Sequence, residues 1–145
     1  YTEFMTARGI FDSKLFASDC VMREFPGVAT LESRRAVFSA RLEALFNLPE
    51  PPTAIYIETI ENANLVREKL ATMGLRVPED VSIIAGEDDM VADDNFYTRL
   101  RRSEEARARE AFLQLLRLID DPECGPLRSY INRTLVPKQS VRRLE

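Results

Sequence analysis

Two short apolar runs, "TAIYI" (Thr53–Ile57) and "VSIIA" (Val81–Ala85), restrict what this chain can fold into more than any other feature. Each is rich in β-branched or aromatic side chains and is short enough to be a strand. Neither alternates apolar with polar residues, as a strand with one wet face does. Both are therefore expected to be covered on two sides, the habit of parallel sheets. Between them lies "ETIENANLVREKLATMGL", where Ala63, Val66, Leu70 and Met73 fall three or four residues apart. That spacing predicts an amphipathic helix, stopped by Gly74, and "RVPED" turns the chain into the second run.

The flanks continue the alternation. From Leu31 to Phe46 the apolar positions Leu31, Phe38, Leu42 and Leu45 keep helical spacing, with Thr30 as N-cap and "NLPEPP" as the stop. "FYTRL" is a short extended stretch. Ser103 is placed to cap a long helix whose first turn carries Glu104 and Glu105, which suits the positive end of the helix dipole. Its apolar face is Ala108, Phe112, Leu115, Leu116 and Ile119; "DDPECGP" ends it, and "SYINRTLV" is a last strand candidate. At the other end "YTEFMTARGI" has the spacing of the back half of a helix stopped at Gly9, as though the chain had been cut inside an element, and "KLFASDCVM" is moderately strand-like. The expected fold is α/β, three-layered, with a mostly parallel sheet flanked by helices on both faces.

At 145 residues, 45% of them hydrophobic and 30% charged, the chain has room for one domain with one core. The net charge of −4 argues against a phosphate-tracking surface; the basic "KQSVRR" near the end is expected to be a solvated tail. Cys20 and Cys124 stand far apart, in keeping with a reducing compartment. With no histidine, the chain lacks the commonest general base, and a zinc site or a triad is not expected. No phosphate-cradling glycine loop or other cofactor motif appears, and no run approaches the roughly 18 apolar residues that cross a bilayer.

In order and wording the segments "PEPPTAIYI", "MGLRVPEDVSIIAGEDD", "YTRLRR", "EEARAREAFLQLLRLI" and "TLVPKQSVRRL" resemble the LacI/GalR-type transcriptional regulators. The resemblance spans residues 1–145 and "GLRVPEDVSI" is its most specific part. It implies the C-terminal part of a two-lobed effector-sensing domain with a periplasmic-binding-protein-like fold, the DNA-binding domain and first lobe lying outside this chain. It also implies a cytoplasmic homodimer, a small sugar-like effector bound between lobes, no membrane association, and operator DNA reached only through the absent domain. The helices Leu31–Phe46 and Asn62–Met73 are candidates for the dimer face. A periplasmic sugar receptor of a transport system, sharing the fold, is the alternative; an enzyme is not expected.

Ligands of open α/β sheets bind beyond the carboxyl ends of the strands. By that rule Glu58 and Thr59, just past "TAIYI", and Glu87 and Asp88, just past "VSIIA" and Gly86, are expected to share one rim. The resemblance points to the same places. The family's sugar-binding Asn-Asp pair falls on Thr59 and Ile60, and its two acids fall on Glu87 and Asp88, or on Asp88 and Asp89 with a slip of one. Carboxylates suit hydroxyl recognition because each offers two acceptor oxygens and charge-assisted bonds are the stronger ones. Tyr97 is a candidate stacking face for a sugar ring, with a core position as the competing reading; Asp93, Asp94 and Asn95 have the composition of a solvated loop.

Overall fold

In the computed structural model, which describes residues 2–16, 31–86 and 96–143, the two apolar runs form neighbouring parallel strands. These are β1 (Ala54–Ile57) and β2 (Ser82–Gly86), in a register that pairs Ala54 with Ser82 and Ile57 with Ala85. β3 (Thr98–Arg101) adds to β2 in parallel, and β4 (Thr134–Val136) closes the far edge antiparallel to β3. The sheet order is β1-β2-β3-β4, a mostly parallel sheet as expected. The helices are α1 (Thr2–Ala7), α2 (Leu31–Phe46), α3 (Ile60–Thr72) and α4 (Glu104–Asp120), with one 3-10 turn at Ser13–Leu15.

The core forms where α3 lies on the sheet. Ile57, Ile83 and Ala85 point from β1 and β2 into the apolar side of α3, where Ile60, Ala63, Val66 and Leu70 are buried. Burying a side chain of this size contributes about 1.5–3 kcal/mol, so this βαβ unit carries much of the fold. α2 packs on α3 from outside, sending Leu42 into the core. Ion pairs from Glu43 to Lys69 (2.5 Å) and from Arg35 to Glu68 (2.9 Å) join the two helices at the surface. Such exposed pairs contribute about 0–1 kcal/mol each, so packing sets the helix pair.

The helix ends follow local chemistry. The Thr59 hydroxyl accepts from the Asn62 amide (3.2 Å) to start α3, and Gly74, at φ 77, follows its C-cap in the left-handed conformation glycine tolerates. Ser103 caps α4 as expected, accepting from the Ala106 amide at 3.1 Å. After α3 the "RVPED" turn is held by Asp80, which accepts from the Arg76 amide (2.9 Å) and Nε (2.8 Å). The Arg76 guanidinium holds the Asp80 carboxyl down at about 2.

Helix α4 has no buried residue, and its Phe112, Leu115 and Ile119 are 60, 53 and 65% exposed. One expectation needs correction. The segment expected to be a solvated tail is pinned at its centre. Ser140 is fully buried where β2 and β3 diverge ahead of their paired residues. Its hydroxyl donates to the Ile83 carbonyl (2.6 Å) and accepts from the Thr98 amide (2.8 Å). Its backbone carbonyl accepts from the Ile83 amide (2.8 Å) and its amide donates to the Phe96 carbonyl (3.0 Å). The basic side chains of Arg142 and Arg143 remain exposed. "SYINRTLV" is extended at its end only, and Tyr130 within it is 94% exposed.

Candidate functional site

The pairing of Ile57 with Ala85 brings the carboxyl ends of β1 and β2 side by side, so Glu58 leaves β1 next to Gly86, the last residue of β2. Glu58 is exposed and Thr59 half-buried. Between them they span a short bridge whose two ends are fixed: Ile57 is buried in the sheet and Ile60, the first residue of α3, is 0% exposed. Thr59 is extended (φ −129, ψ 152) and spends its hydroxyl oxygen on the Asn62 amide. Its O–H remains a donor, since a hydroxyl both donates and accepts.

Gly86 fits against this bridge with no room to spare. A Cβ built on it would lie 2.0 Å from the Glu58 carbonyl oxygen, 2.9 Å from the Glu58 carbonyl carbon and 3.2 Å from the Tyr56 hydroxyl. β3 contributes Arg99, in register with Ala85 on one side and Val136 on the other and only 5% exposed. A buried arginine next to the β2 end was not singled out in the sequence; its signal is one charged residue inside an otherwise strand-like "FYTRL".

The expected site residues divide. Glu58 and Thr59 stand at the rim of β1. Glu87 and Asp88, with Asp89 and the acidic stretch to Asn95, lie outside the described residues, as does Cys20. Tyr97 is drawn into the core: it is 0% exposed, its hydroxyl donates to Asn64 Oδ1 at 2.9 Å, and its ring meets Phe96 edge-on at 5.1 Å. The Arg67 guanidinium caps the Phe96 ring at 4.0 Å. In this position Tyr97 supports the α3–β3 junction and offers no open face for a sugar ring. The Asn62 side chain, in the first turn of α3, holds a buried Oδ1 without a hydrogen-bond partner. Among the described residues no three acids or thiols gather as a metal site would require, and no helix is long and apolar enough to cross a membrane.

A concavity of about 440 Å³ runs between α4 and the Leu127–Ile131 segment. It is lined by polar and apolar side chains alike, is crossed by hydrogen bonds from Gln114 Nε2 to Ser129 Oγ (2.6 Å) and from Ser129 Oγ to Glu110 Oε1 (2.5 Å), and shares no residue with the rim.

In a mostly parallel sheet with flanking helices, the carboxyl ends of the strands are where ligands bind. Residues 15–141 match the periplasmic binding protein-like domain family, and the chain belongs to it, in the form found as the effector-sensing domain of LacI-type regulators. It is 34% identical over 106 residues to the probable HTH-type transcriptional repressor ExuR of Bacillus subtilis (strain 168), covering 71% of this chain and 32% of that protein. Among solved structures it resembles a LacI family transcriptional regulator from Bifidobacterium animalis subsp. lactis DSM 10140, at 28% identity and TM-score 0.59, over 74% of this chain and 40% of that one. It also resembles the transcriptional regulator CelR in complex with cellobiose, at 23% identity and TM-score 0.65, over 97% of this chain and 40% of that one. The chain thus spans about a third of the curated relative and two fifths of these solved ones.

Proposed function

We propose that this chain is part of the effector sensor of a cytoplasmic, homodimeric LacI-type repressor. A small polyhydroxylated effector binds across the rim formed by Glu58, Thr59, Glu87 and Asp88, between this lobe and a second one, and the bound state alters operator affinity through a separate DNA-binding domain. The observation that supports this reading is the register pairing Ile57 with Ala85, which brings the carboxyl ends of β1 and β2 side by side. An exposed carboxylate and a half-buried hydroxyl there supply the acceptors and donors that sugar hydroxyls need. Tyr97, with its buried ring, is left out of the ligand contacts: its hydroxyl donates to Asn64 and ties the start of β3 to α3.

The names of the relatives favour a regulator over a transport receptor, since ExuR and the Bifidobacterium protein are both described as transcriptional. The cellobiose carried by CelR makes a disaccharide a reasonable first ligand to try. For the homodimer, α3 spends its apolar side on its own core, whereas α2 leaves Leu31 and Val37 exposed, so α2 is the better candidate face.

Coupling requires an effector that binds two lobe arrangements with different affinity. The test is operator binding by the intact regulator, followed by fluorescence anisotropy while a sugar panel including cellobiose is titrated. One sugar is expected to shift operator affinity at least fivefold, and Glu87→Ala is expected to move the dose–response midpoint without unfolding the protein. A regulator whose operator affinity ignores every sugar, or a Glu87→Ala variant with an unmoved midpoint, overturns the assignment.

A further inference from the structure

We propose that Gly86 is a positioning residue for the effector rim: its missing side chain is what lets the Glu58–Thr59 bridge close against the end of β2. This inference rests on the effector-site reading and adds a residue that acts through its neighbours.

The geometry leaves few ways out for a larger residue at position 86. A Cβ there meets the Glu58 carbonyl oxygen at 2.0 Å, far inside contact, and the obstacle is main chain, which no side-chain rotation removes. The Tyr56 hydroxyl, at 3.2 Å, is the tip of a half-exposed side chain and can swing aside. Something in the Glu58 backbone must therefore move. Its neighbours decide where the movement goes. Ile57 is held by pairing with Ala85 and by burial, and Ile60, the first residue of α3, is fully buried. The displacement falls on the two residues between them, Glu58 and Thr59, which are the two rim residues β1 supplies. Moving Thr59 also loosens the cap on the Asn62 amide, already long at 3.2 Å.

A purely structural glycine would behave differently: its replacement would lower stability everywhere and leave the ligand affinity of the folded fraction alone. The test therefore has two readouts on the intact regulator. In the first, hydrogen exchange is followed by mass spectrometry in wild type and Gly86→Ala. Faster exchange is expected in the peptide covering Glu58 to Ala63, with the α2 peptide (Leu31–Phe46) unchanged. Equal exchange at Glu58–Ala63 overturns the proposal.

In the second, affinity is measured by calorimetry for whichever sugar of a neutral mono- and disaccharide panel, cellobiose included, most raises the melting temperature. Gly86→Ala and Glu58→Ala are each expected to weaken binding about tenfold, the loss of one or two hydrogen bonds. The double variant is expected to be little weaker than either single one, because both changes remove the same contact. Unchanged affinity in Gly86→Ala, or penalties that simply multiply, overturns the positioning role. If no sugar binds the wild type, the effector reading fails on its own, and the exchange experiment still decides whether Gly86 sets the bridge.

Discussion

Replacing Ser140 by alanine removes one oxygen from a fully buried polar position. The hydroxyl is fully buried and makes two bonds, donating to the Ile83 carbonyl at 2.6 Å and accepting from the Thr98 amide at 2.8 Å. In the alanine variant the Thr98 amide is left inside a buried residue (3% exposed) with its acceptor gone. An orphaned buried donor costs about 1–3 kcal/mol, and the lost bond to Ile83 adds about 1 kcal/mol, so Ser140→Ala is expected to lower stability by about 2–4 kcal/mol. That is a large part of the roughly 5–15 kcal/mol typical of a domain. The backbone bonds of Ser140 to Ile83 and Phe96 survive, so the fold is expected to persist, weakened. Urea unfolding followed by far-ultraviolet circular dichroism measures this. With a slope of about 2 kcal/mol per molar, the middle of the usual range, the midpoint should fall by about 1–2 M at unchanged slope. Ser103→Ala, which removes an exposed cap, is the control and should cost about 1 kcal/mol. A loss below about 0.5 kcal/mol in Ser140→Ala would refute the idea that this hydroxyl joins the two strands.

Two further outcomes follow from named contacts. Tyr97→Phe removes the bond to Asn64 while keeping the ring, so stability should drop by about 1 kcal/mol with effector affinity unchanged; a selective loss of affinity by calorimetry would return Tyr97 to the ligand contacts. Asp80 sits at about 2 in the folded chain, below the ordinary 3.8, because Arg76 bonds its charged form. A depressed carboxyl stabilises the fold above its unfolded value and stops doing so as pH falls through the folded one. Asp80→Asn should therefore be the less stable protein at pH 7, and urea midpoints for the two should converge as pH falls from about 3.8 towards 2. Curves that stay parallel over that window would contradict the assignment.

What was legible in the sequence was what periodicity controls. Helix α2 spans Leu31–Phe46 as its spacing predicts, and β1 and β2 fall within a residue or so of their apolar runs, because a short β-branched and aromatic run between turn signals is a strong local strand signal. The Ser103 cap was also visible, since a serine before two glutamates is a local signal. Long-range placement was not. Ser140 looks like any polar residue in "PKQSVRR", and only the divergence of two strands more than 40 positions upstream makes it a core residue. Tyr97 shows the same limit: an aromatic beside a strand end has one composition whether it faces ligand or α3. Gly86 was seen as a neighbour of acids, but its tight fit depends on where the Glu58 carbonyl lies, which no local pattern encodes.

Helix α4 has a consequence for anyone handling these residues alone. Phe112, Leu113, Leu115, Leu116, Leu118 and Ile119 are each 41–65% exposed, a greasy ridge along one amphipathic rod. Water does not tolerate such a surface quietly: at millimolar concentration the ridges of separate molecules are the nearest apolar shelter available to one another. The isolated chain should thus bind hydrophobic dyes in its native state and scatter light as concentration rises, and a glutamate at Phe112 or Ile119 should suppress both without disturbing the core.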